Sequence, residues 1–425
     1  MEWQSENPSS WIFKLRPNVK FSNGEAFDAD AIVTSAEFLA SPIGRSQTLG
    51  STLYQVASAE AVDALTVRVK LNEPDPLFPL HAAVWRVVAP KLWRELGAER
   101  YAEKPIGTGP FVLEQMGNTN LVFTANKTSW HPAKLDKLTL MLLPDELSRV
   151  QALASGAADI AYLLNPESKS TIEQLGGTFQ RRLSSNVYFL GFVSTAAKSP
   201  LKDPRVRRAL NMAVDRQTIA DTVMAKATAP ASQLTHPGAF GFDPRLTPIP
   251  YDPAGAKKLL AEAGFANGLS LKMGVANGES IPLSAYQLVA SDLAKIGVKL
   301  DLLSRPTLEQ QLDLFNGRLN VDLFNMFTRG SDPIIDYRHR SCVNPVNERQ
   351  PFNCDANIVA VVKQAMLEQD LTKRAALYGE VARLERDAPA GIVLWQQVEF
   401  DGLSPKVKSF TPSLDWVHPE TWDMK

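Results

Sequence analysis

The chain has 425 residues, of which 44% are hydrophobic and 21% are charged, and its formal net charge is −1. This composition is typical of a globular protein with roughly two to four domains. A nearly neutral chain has no electrostatic basis for binding nucleic acid or an anionic membrane surface, so neither partner is expected. The sequence also contains no apolar run long enough to cross a bilayer.

The first part of the chain predicts a strand, a turn and a capped helix. Residues 11–16 (WIFKLR) alternate as a strand does, and Asn23-Gly24 is typical of a tight turn. Asp28 is placed to cap the helix that follows. Further on, PIGTGP at 105–110 predicts a glycine-containing turn that enters a strand. Its last proline lacks the backbone donor that a phosphate-binding loop would use, so a nucleotide site is not indicated.

Two stretches have the order strand, helix, glycine and strand that is typical of βαβ units in parallel sheets. The first has a strand at 138–143, a helix capped by Asp145 and a strand that begins at Asp159. The second has the same order over residues 269–303. The sequence therefore predicts an α/β fold.

The most informative segment lies at 186–220. It predicts a buried strand over 187–193 and two helices, whose N-terminal caps are Asp203 and Asp215. The first helix has one apolar stripe at helical spacing. Three arginines lie mostly off this stripe and are expected to be in solvent: Arg205, Arg207 and Arg208.

Four motifs together resemble the family 5 extracellular solute-binding proteins, the peptide and nickel binders of ABC importers. They are FKLRPNVKFSNGEAFDADAIV, PIGTGP, DPRVRRALNMAVDRQTI and YDPAGAKKLLAEAG, in the order that the family has them. The resemblance covers nearly the whole chain. It implies a two-lobed periplasmic-binding-protein fold of type II, with an extra subdomain in lobe I and mixed sheets flanked by helices.

This resemblance also implies how the chain is divided. We predict lobe I at residues 1–190, with the extra subdomain within 1–104, lobe II at 191–396, and a C-terminal return to lobe I at 397–425. In the family, the run at 11–16 follows a secretion signal and further first-lobe residues, so we expect this sequence to lack an N-terminal segment. The implied location is periplasmic or extracellular, with membrane association through the transporter.

The implied function is solute capture for an ABC importer. Two lobes close around a small peptide or peptide-like solute, and the protein then delivers it to the membrane permease. The expected partners are this solute and the permease subunits; we expect a monomer and no cofactor. Family members also bind nickel chelates, haem, opines or glutathione, and the sequence does not choose among these solutes.

The loop after the strand predicted at 321–327 is the main candidate ligand site, because ligands bind beyond the carboxyl ends of strands in open α/β sheets. Arg329 offers a fork of donors suited to a carboxylate, and Asp332 or Asp336 can accept a hydrogen bond from an amine. An Asp before a proline is equally typical of a turn, which leaves Asp332 with two interpretations. Phe327, at the strand end, is included as a ligand contact.

Three more side chains are ligand-binding candidates with a structural alternative. Trp85 and Arg86 are either a core tryptophan beside a solvated arginine or part of the ligand cleft. Trp395 lies near the predicted return to lobe I and is either a core residue or a wall of the cleft.

Cys342 and Cys354 are either two unrelated thiols or a disulfide, and a disulfide suits an oxidising compartment. No CxxC or paired-histidine spacing predicts a zinc site. The alternative of another class is a hydrolase that uses carboxylates in the cleft. No GxSxG or HExxH motif is present and the five histidines are scattered, so we expect no enzyme activity.

Overall fold

The computed structural model describes residues 2–47, 49–50, 53–276, 282–315, 318–328, 333, 336–337, 341–343, 352–411 and 418–425. By their contacts, the residues form two compact units. Unit 1 comprises Met1–Leu143 and Lys406–Lys425, and unit 2 comprises Pro144–Pro405. The lobe boundaries given above stay a prediction. In the described ranges, no helix has the length and apolar character needed to cross a membrane.

In the N-terminal part of unit 1, the described residues up to Leu143 form two antiparallel sheets and the helices between their strands. In chain order its elements are β1 (Glu2–Asn7), β2 (Ser10–Lys14), α1 (Ala29–Ala40), α2 (Pro42–Ser46), β3 (Val56–Asp63), β4 (Thr66–Leu71), α3 (Phe78–His81), α4 (Pro90–Glu103), β5 (Phe111–Met116), β6 (Asn120–Ala125) and β7 (Lys137–Met141). One sheet has the strand order β1-β2-β4-β3 and the other has the order β5-β6-β7.

The local predictions for unit 1 are confirmed. The Asp28 carboxylate accepts hydrogen bonds from the backbone N–H groups of Asp30 and Ala31 and so caps α1. The predicted strand at 11–16 corresponds to β2, and the glycine-containing turn at 105–110 leads directly into β5.

A buried polar cluster lies at the end of α3. His81 Nδ1 is 2.6 Å from Asp75 Oδ2, and both side chains are only 5% exposed. Gln55 Nε2 donates to the same oxygen at 2.9 Å, and the backbone N–H of Leu77 donates to the other oxygen at 3.0 Å. Burial raises the pKa of Asp75, but the hydrogen bond and charge of His81 and the bonds from Gln55 and Leu77 together outweigh it. The net pKa of Asp75 therefore lies below its ordinary value of 3.8.

We expect Asp75→Asn to lower the free energy of unfolding by about 1–3 kcal/mol at neutral pH, because buried donors lose their carboxylate. As the pH falls through 3.8, the unfolded chain takes up the proton before the folded protein does. The wild-type advantage is therefore fully present above this pH and declines below it. Urea unfolding of both proteins on either side of pH 3.8 measures the change. A pH-independent difference would contradict the prediction, and exposed Glu99→Gln in α4 is the control.

Unit 2 is built on one six-stranded mixed sheet. In chain order its elements are α5 (Glu146–Ala154), β8 (Ile160–Leu164), α6 (Lys169–Gln174), β9 (Thr178–Phe192), α7 (Pro204–Met212), α8 (Arg216–Thr222), α9 (Pro253–Glu262), β10 (Leu269–Ala276), α10 (Leu283–Lys295), β11 (Val298–Arg305), α11 (Thr307–Phe315), β12 (Leu323–Phe327), α12 (Ala356–Leu367), α13 (Leu371–Asp387) and β13 (Gly391–Leu403). The strand order is β11-β10-β12-β9-β13-β8. The last two strands of the chain, β14 (Val407–Ser409) and β15 (Asp423–Met424), pair with each other in unit 1.

The second predicted βαβ unit is confirmed and the first is wrong. Leu269 of β10 pairs with Val298 of β11 in a parallel ladder, and α10 connects the two strands. In the first case, β7 pairs with β6 in the three-stranded sheet, whereas β8 pairs antiparallel with β13. Alternating apolar residues indicate a strand, but they do not specify which distant segment will pair with it.

A buried polar column connects α7 to the start of β13. Arg207 Nε donates to the carbonyl of Pro389 at 2.8 Å, and Asn211 Nδ2 donates to the carbonyl of Gly391 at 3.0 Å. The prediction that Arg207 lies in solvent is wrong, since its residue is only 4% exposed. Backbone carbonyls that are distant in sequence satisfy its guanidinium, while Arg205 and Arg208 are exposed as predicted.

Arg216, the first residue of α8, continues this column. Its Nε donates to the carbonyl of Val393, its Nη1 donates to the carbonyls of Asn211 at 2.9 Å and Val214 at 3.2 Å, and its Nη2 donates to Asn211 Oδ1 at 2.8 Å. Burial lowers the pKa of Arg216 to about 10. With this pKa the guanidinium is still protonated at neutral pH, and its donors join α7, α8 and β13 through backbone carbonyl oxygens and the amide oxygen of Asn211.

The disulfide between Cys342 and Cys354 is present, with the two Cα atoms 5.4 Å apart. Val343, beside the first cysteine, is buried in an apolar cluster with Ile358 of α12 and Val381 of α13. Closing a loop of this length stabilises a fold by about 3 kcal/mol on chain-entropy grounds. The bond therefore fastens this segment against the α12–α13 pair.

Candidate functional site

A cavity of about 450 Å³ lies within unit 2 beside β9 and β13; we call it the β9 cavity. Most of its wall is one continuous segment, residues 226–248, and the rest comes from the two strands. The lining side chains are Arg181, Leu183, Val187, Lys226, Ala227, Thr228, Ala229, Pro230, Ala231, Ser232, Thr235, Pro237, Phe242, Pro248 and Gln396.

The strand side of the cavity is shaped by irregular pairing between β9 and β13. The register shifts between Val393 and Trp395 and again between Gln396 and Val398. Such bulges change the direction in which side chains leave a strand. Gln396, which lies between the two shifts, lines the cavity, and its Nε2 donates to the carbonyl of Ser184 at 2.8 Å.

The loop side begins with a tight turn after α8. Ala225 and Lys226 both have positive φ, of 49° and 59°, and the Lys226 N–H donates to the carbonyl of Ala220 at 2.9 Å. The chain then runs along β13, where the Ala231 N–H donates to the carbonyl of Leu394 at 2.9 Å. Thr228 Oγ1 donates to the carbonyl of Gln396 at 2.8 Å. The loop is thus held to the strand at several points.

The far side of the loop is fixed by Gln233 and Asp243. Gln233 Nε2 donates to the carbonyl of Asp243 at 2.9 Å, and the Asp243 N–H donates to Gln233 Oε1 at 3.1 Å. The Asp243 carboxylate also accepts hydrogen bonds from Arg245 at 2.8 Å and from Arg383 of α13 at 2.9 Å. The hydrogen bonds of Arg245, together with the charges of both arginines, hold the pKa of Asp243 well below its usual range. An ionised carboxylate therefore ties the loop to α13.

A glycine allows the loop to approach α13 closely. Gly241 has a φ of 79°, and a Cβ atom at this position would lie 2.6 Å from Cβ of Tyr378. The neighbouring Phe240 ring meets the Tyr378 ring edge-on at 6.0 Å. Any larger residue at 241 would displace the loop, because both its backbone conformation and this contact require glycine.

The predicted ligand loop is only partly described. Phe327 ends β12 and is half-buried against the main core. The next residue, Thr328, donates its N–H to the carbonyl of Val187, and its Oγ1 accepts from the Val187 N–H at 2.8 Å. These two bonds connect the end of β12 to a residue of the cavity wall. Arg329 and Asp332 lie outside the described residues. Asp336 is described and is buried, with 4% of the residue exposed.

The three other candidates lie in different surroundings. Trp395 is 1% exposed and stacks on Tyr188 with ring centroids 5.7 Å apart, and its side chain is not part of the cavity lining. Trp85 is half-buried between two apolar clusters of unit 1, and Arg86 is exposed. Their roles in ligand binding stay predictions.

The sequence interpretation missed the residues that form the β9 cavity, including Arg181, Lys226, Thr228 and Gln396. One signal was available, since residues 226–248 form a long stretch without helical or strand periodicity. Connections of more than about 12–15 residues without regular structure are uncommon and often functional. Among the described residues, no group of three or more His, Cys, Asp or Glu side chains is arranged to hold a metal ion.

The sequence is similar to a known family of binding proteins. Residues 2–340 match the family model described as bacterial extracellular solute-binding proteins, family 5 Middle. The glutathione-binding protein GsiB of Shigella flexneri serotype 5b (strain 8401) is 28% identical over 306 residues, which are 69% of this chain and 58% of that protein. The match therefore spans less than two thirds of that relative's length.

Solved structures share the fold over nearly the whole chain. NikA from Brucella suis in complex with Fe(III)-EDTA has a TM-score of 0.83 at 25% identity, covering 100% of this chain and 90% of that one. The periplasmic binding protein DppA from Helicobacter pylori in complex with peptide STSA has a TM-score of 0.84 at 19% identity, covering 99% and 86%. These likenesses confirm the predicted α/β periplasmic-binding-protein fold with mixed sheets and flanking helices.

Proposed function

Because this chain belongs to the family 5 bacterial extracellular solute-binding proteins, we propose that it is the substrate-binding component of an ABC importer. It captures a small peptide or peptide-like solute outside the cytoplasmic membrane and, as a monomer, delivers it to the permease subunits. The observation that carries the proposal is the family match over residues 2–340. The family and the fold are those of binding proteins for transport rather than of enzymes.

The β9 cavity supports this proposal as the place where the solute binds. Its volume of about 450 Å³ lies within the range of roughly 300–1,000 Å³ that is usual for small-ligand sites. Capture by closure of two lobes is part of the proposal, since periplasmic binding proteins are an established case of hinge closure. The solute favours the closed state only through contacts that the open state lacks.

The proposed ligand contacts include residues beyond the cavity wall. They are Phe327, the last residue of β12, and Arg329, Asp332 and Asp336, which follow it in sequence. The end of β12 is joined to the cavity wall through the Thr328–Val187 hydrogen bonds. We retain Trp85 and Arg86 as proposed contacts of the solute-bound protein, and of the two interpretations of Trp395 we propose the core residue rather than the wall of the cleft, because its side chain is buried.

Solute binding is tested by thermal unfolding of the purified chain with pools of di- to pentapeptides, with glutathione, and with nickel in excess histidine. A solute at a hundred times its Kd stabilises the folded protein by about 2.7 kcal/mol, so a peptide pool that binds will raise the Tm clearly. Native mass spectrometry of the same protein identifies which member is retained. A shift with the nickel mixture alone would replace the peptide by a metal chelate, and no shift with any mixture would contradict solute binding.

A blocking variant locates the site. Ala229 is exposed and lines the β9 cavity, so Ala229→Trp should fill the cavity without disturbing the core and should abolish the ligand-induced shift. Ala254→Trp, at an exposed position of α9, is the matched control and should leave the shift unchanged. If Ala229→Trp binds like the wild type, the solute lies elsewhere.

A further inference from the structure

The charge of the β9 cavity points to the kind of solute that it holds. Two charged side chains line it, Arg181 and Lys226, and both are cationic. None of the described lining residues is an aspartate or a glutamate. A ligand site lined by one sign of charge concentrates ligands of the opposite sign.

Neither cation has a carboxylate partner in the described part of the chain. Arg181 Nη1 donates to the carbonyl of Ala227 at 2.9 Å, a bond that leaves its positive charge uncompensated. Its neighbour in sequence, Arg182, behaves differently, because its Nε donates to Asp401 at 2.9 Å and its guanidinium also contacts Glu399. The two faces of β9 therefore differ: the arginine away from the cavity is neutralised and the arginine in the cavity is not.

The backbone fixes where both charges lie. Arg181 belongs to the long β9–β13 ladder, where it pairs with Phe400. Lys226 follows Ala225 in a turn of two consecutive left-handed residues, a conformation that is unfavourable for residues other than glycine. The Lys226 N–H bond to Ala220 holds this turn in place. The two cations therefore come from different elements, Arg181 from β9 and Lys226 from the turn after α8, and the bond from Arg181 to Ala227 brings its guanidinium to the residue next to Lys226.

The remaining walls favour a carboxylate over a phosphate. Leu183 and Phe242, which are half-buried, supply apolar surface for the uncharged part of a solute. Phosphate sites are usually built from several backbone N–H groups, often at a helix N-terminus. Three of the lining residues are prolines, which have no N–H to offer: Pro230, Pro237 and Pro248.

We infer that the solute of this protein bears a carboxylate group, which is held by Arg181 and Lys226, and that its apolar part lies against the walls of the β9 cavity. This inference rests on the function proposed above. A peptide would place its C-terminal carboxylate at the two cations. Charge-assisted hydrogen bonds to a carboxylate are the strong class of such bonds, and Arg181 can supply a bidentate pair.

The test compares two pools of the same dipeptides, one with free carboxyl ends and one with amidated ends, by calorimetric titration of the full chain. The wild type should bind the free-acid pool and lose affinity for the amidated pool and at higher ionic strength. Arg181→Gln and Lys226→Gln should each raise the Kd roughly ten- to hundred-fold. Lys257→Gln, at an exposed position of α9, is the matched control and should leave the Kd unchanged.

Each other result overturns a defined part of the inference. Equal binding of both pools, or unchanged Kd in both glutamine variants, overturns it and leaves the proposed function standing. Saturable binding of inorganic phosphate, with no binding of the free-acid pool, overturns the choice of a carboxylate. No binding of either pool by the wild type overturns the peptide function and this inference with it. Because the Lys226 side chain makes no hydrogen bond in the described structure, its variant separates loss of charge from loss of folding.

Discussion

Replacing Arg216 by leucine is expected to lower the free energy of unfolding by about 3–5 kcal/mol, because several buried acceptors lose their donors at once. The leucine fills part of the volume, but it leaves the carbonyls of Val393 and Val214 and the side-chain oxygen of Asn211 without this partner. The same substitution also removes bonds between α8 and β13, the strand that contributes Gln396 to the β9 cavity.

Chemical denaturation monitored by circular dichroism measures this loss. Arg208→Leu is the matched control, since Arg208 is half-exposed and forms its ion pair with the exposed Asp387, at 3.3 Å. Its substitution should cost less than about 1 kcal/mol. Arg216→Lys keeps the charge without the fork of donors and should remain destabilised. Equal stability of the Arg216→Leu and Arg208→Leu proteins would contradict the structural role assigned to the buried guanidinium.

Trp395→Ala is expected to be similarly destabilising, by about 3–5 kcal/mol, because it opens a cavity in the core of the six-stranded sheet. The indole is 1% exposed and stacks on Tyr188, whose hydroxyl in turn contacts that of Tyr286. In this position the indole stabilises the folded protein through packing. The substitution should therefore change the free energy of unfolding more than the free energy of solute binding.

Thermal unfolding and peptide titration of Trp395→Phe separate these two roles. Phenylalanine keeps most of the apolar volume, so the protein should remain folded with a lowered Tm and an almost unchanged Kd. A large rise in Kd at an unchanged Tm would instead support direct contact with the solute. Trp130→Phe, at a half-exposed tryptophan of unit 1, is the control for general effects of the substitution.

The starts of several helices, which depend on residues close together in sequence, were predicted correctly. Asp145, Asp203 and Asp215 each accept a hydrogen bond from a backbone N–H in the first turn of the helix that they begin. Such caps are set by local chemistry, because a short acidic side chain reaches the unpaired N–H groups two or three residues ahead. The sequence therefore predicted where these helices begin.

Features that depend on distant pairing were missed or misjudged. β9 starts at Thr178, nine residues before the predicted strand, because β13 pairs along its polar first half. Arg207 was assigned to solvent because periodicity treats every arginine as polar, whereas Pro389 supplies the carbonyl that permits its burial. The β9 cavity could not be predicted for the same reason, since its wall exists only when 226–248 lies against both strands.

The hydrogen bonds that hold the segment 226–248 in place determine which residues of the cavity wall can change during evolution. The far side of the segment is held by Gln233, Asp243 and Arg383, and none of these side chains lines the cavity. The near side is held by two lining side chains, since Thr228 bonds to the carbonyl of Gln396 and Arg181 bonds to the carbonyl of Ala227. Substitutions at lining positions that carry no anchor, such as Ala229 and Phe242, can therefore change the surface of the cavity while the segment stays in place.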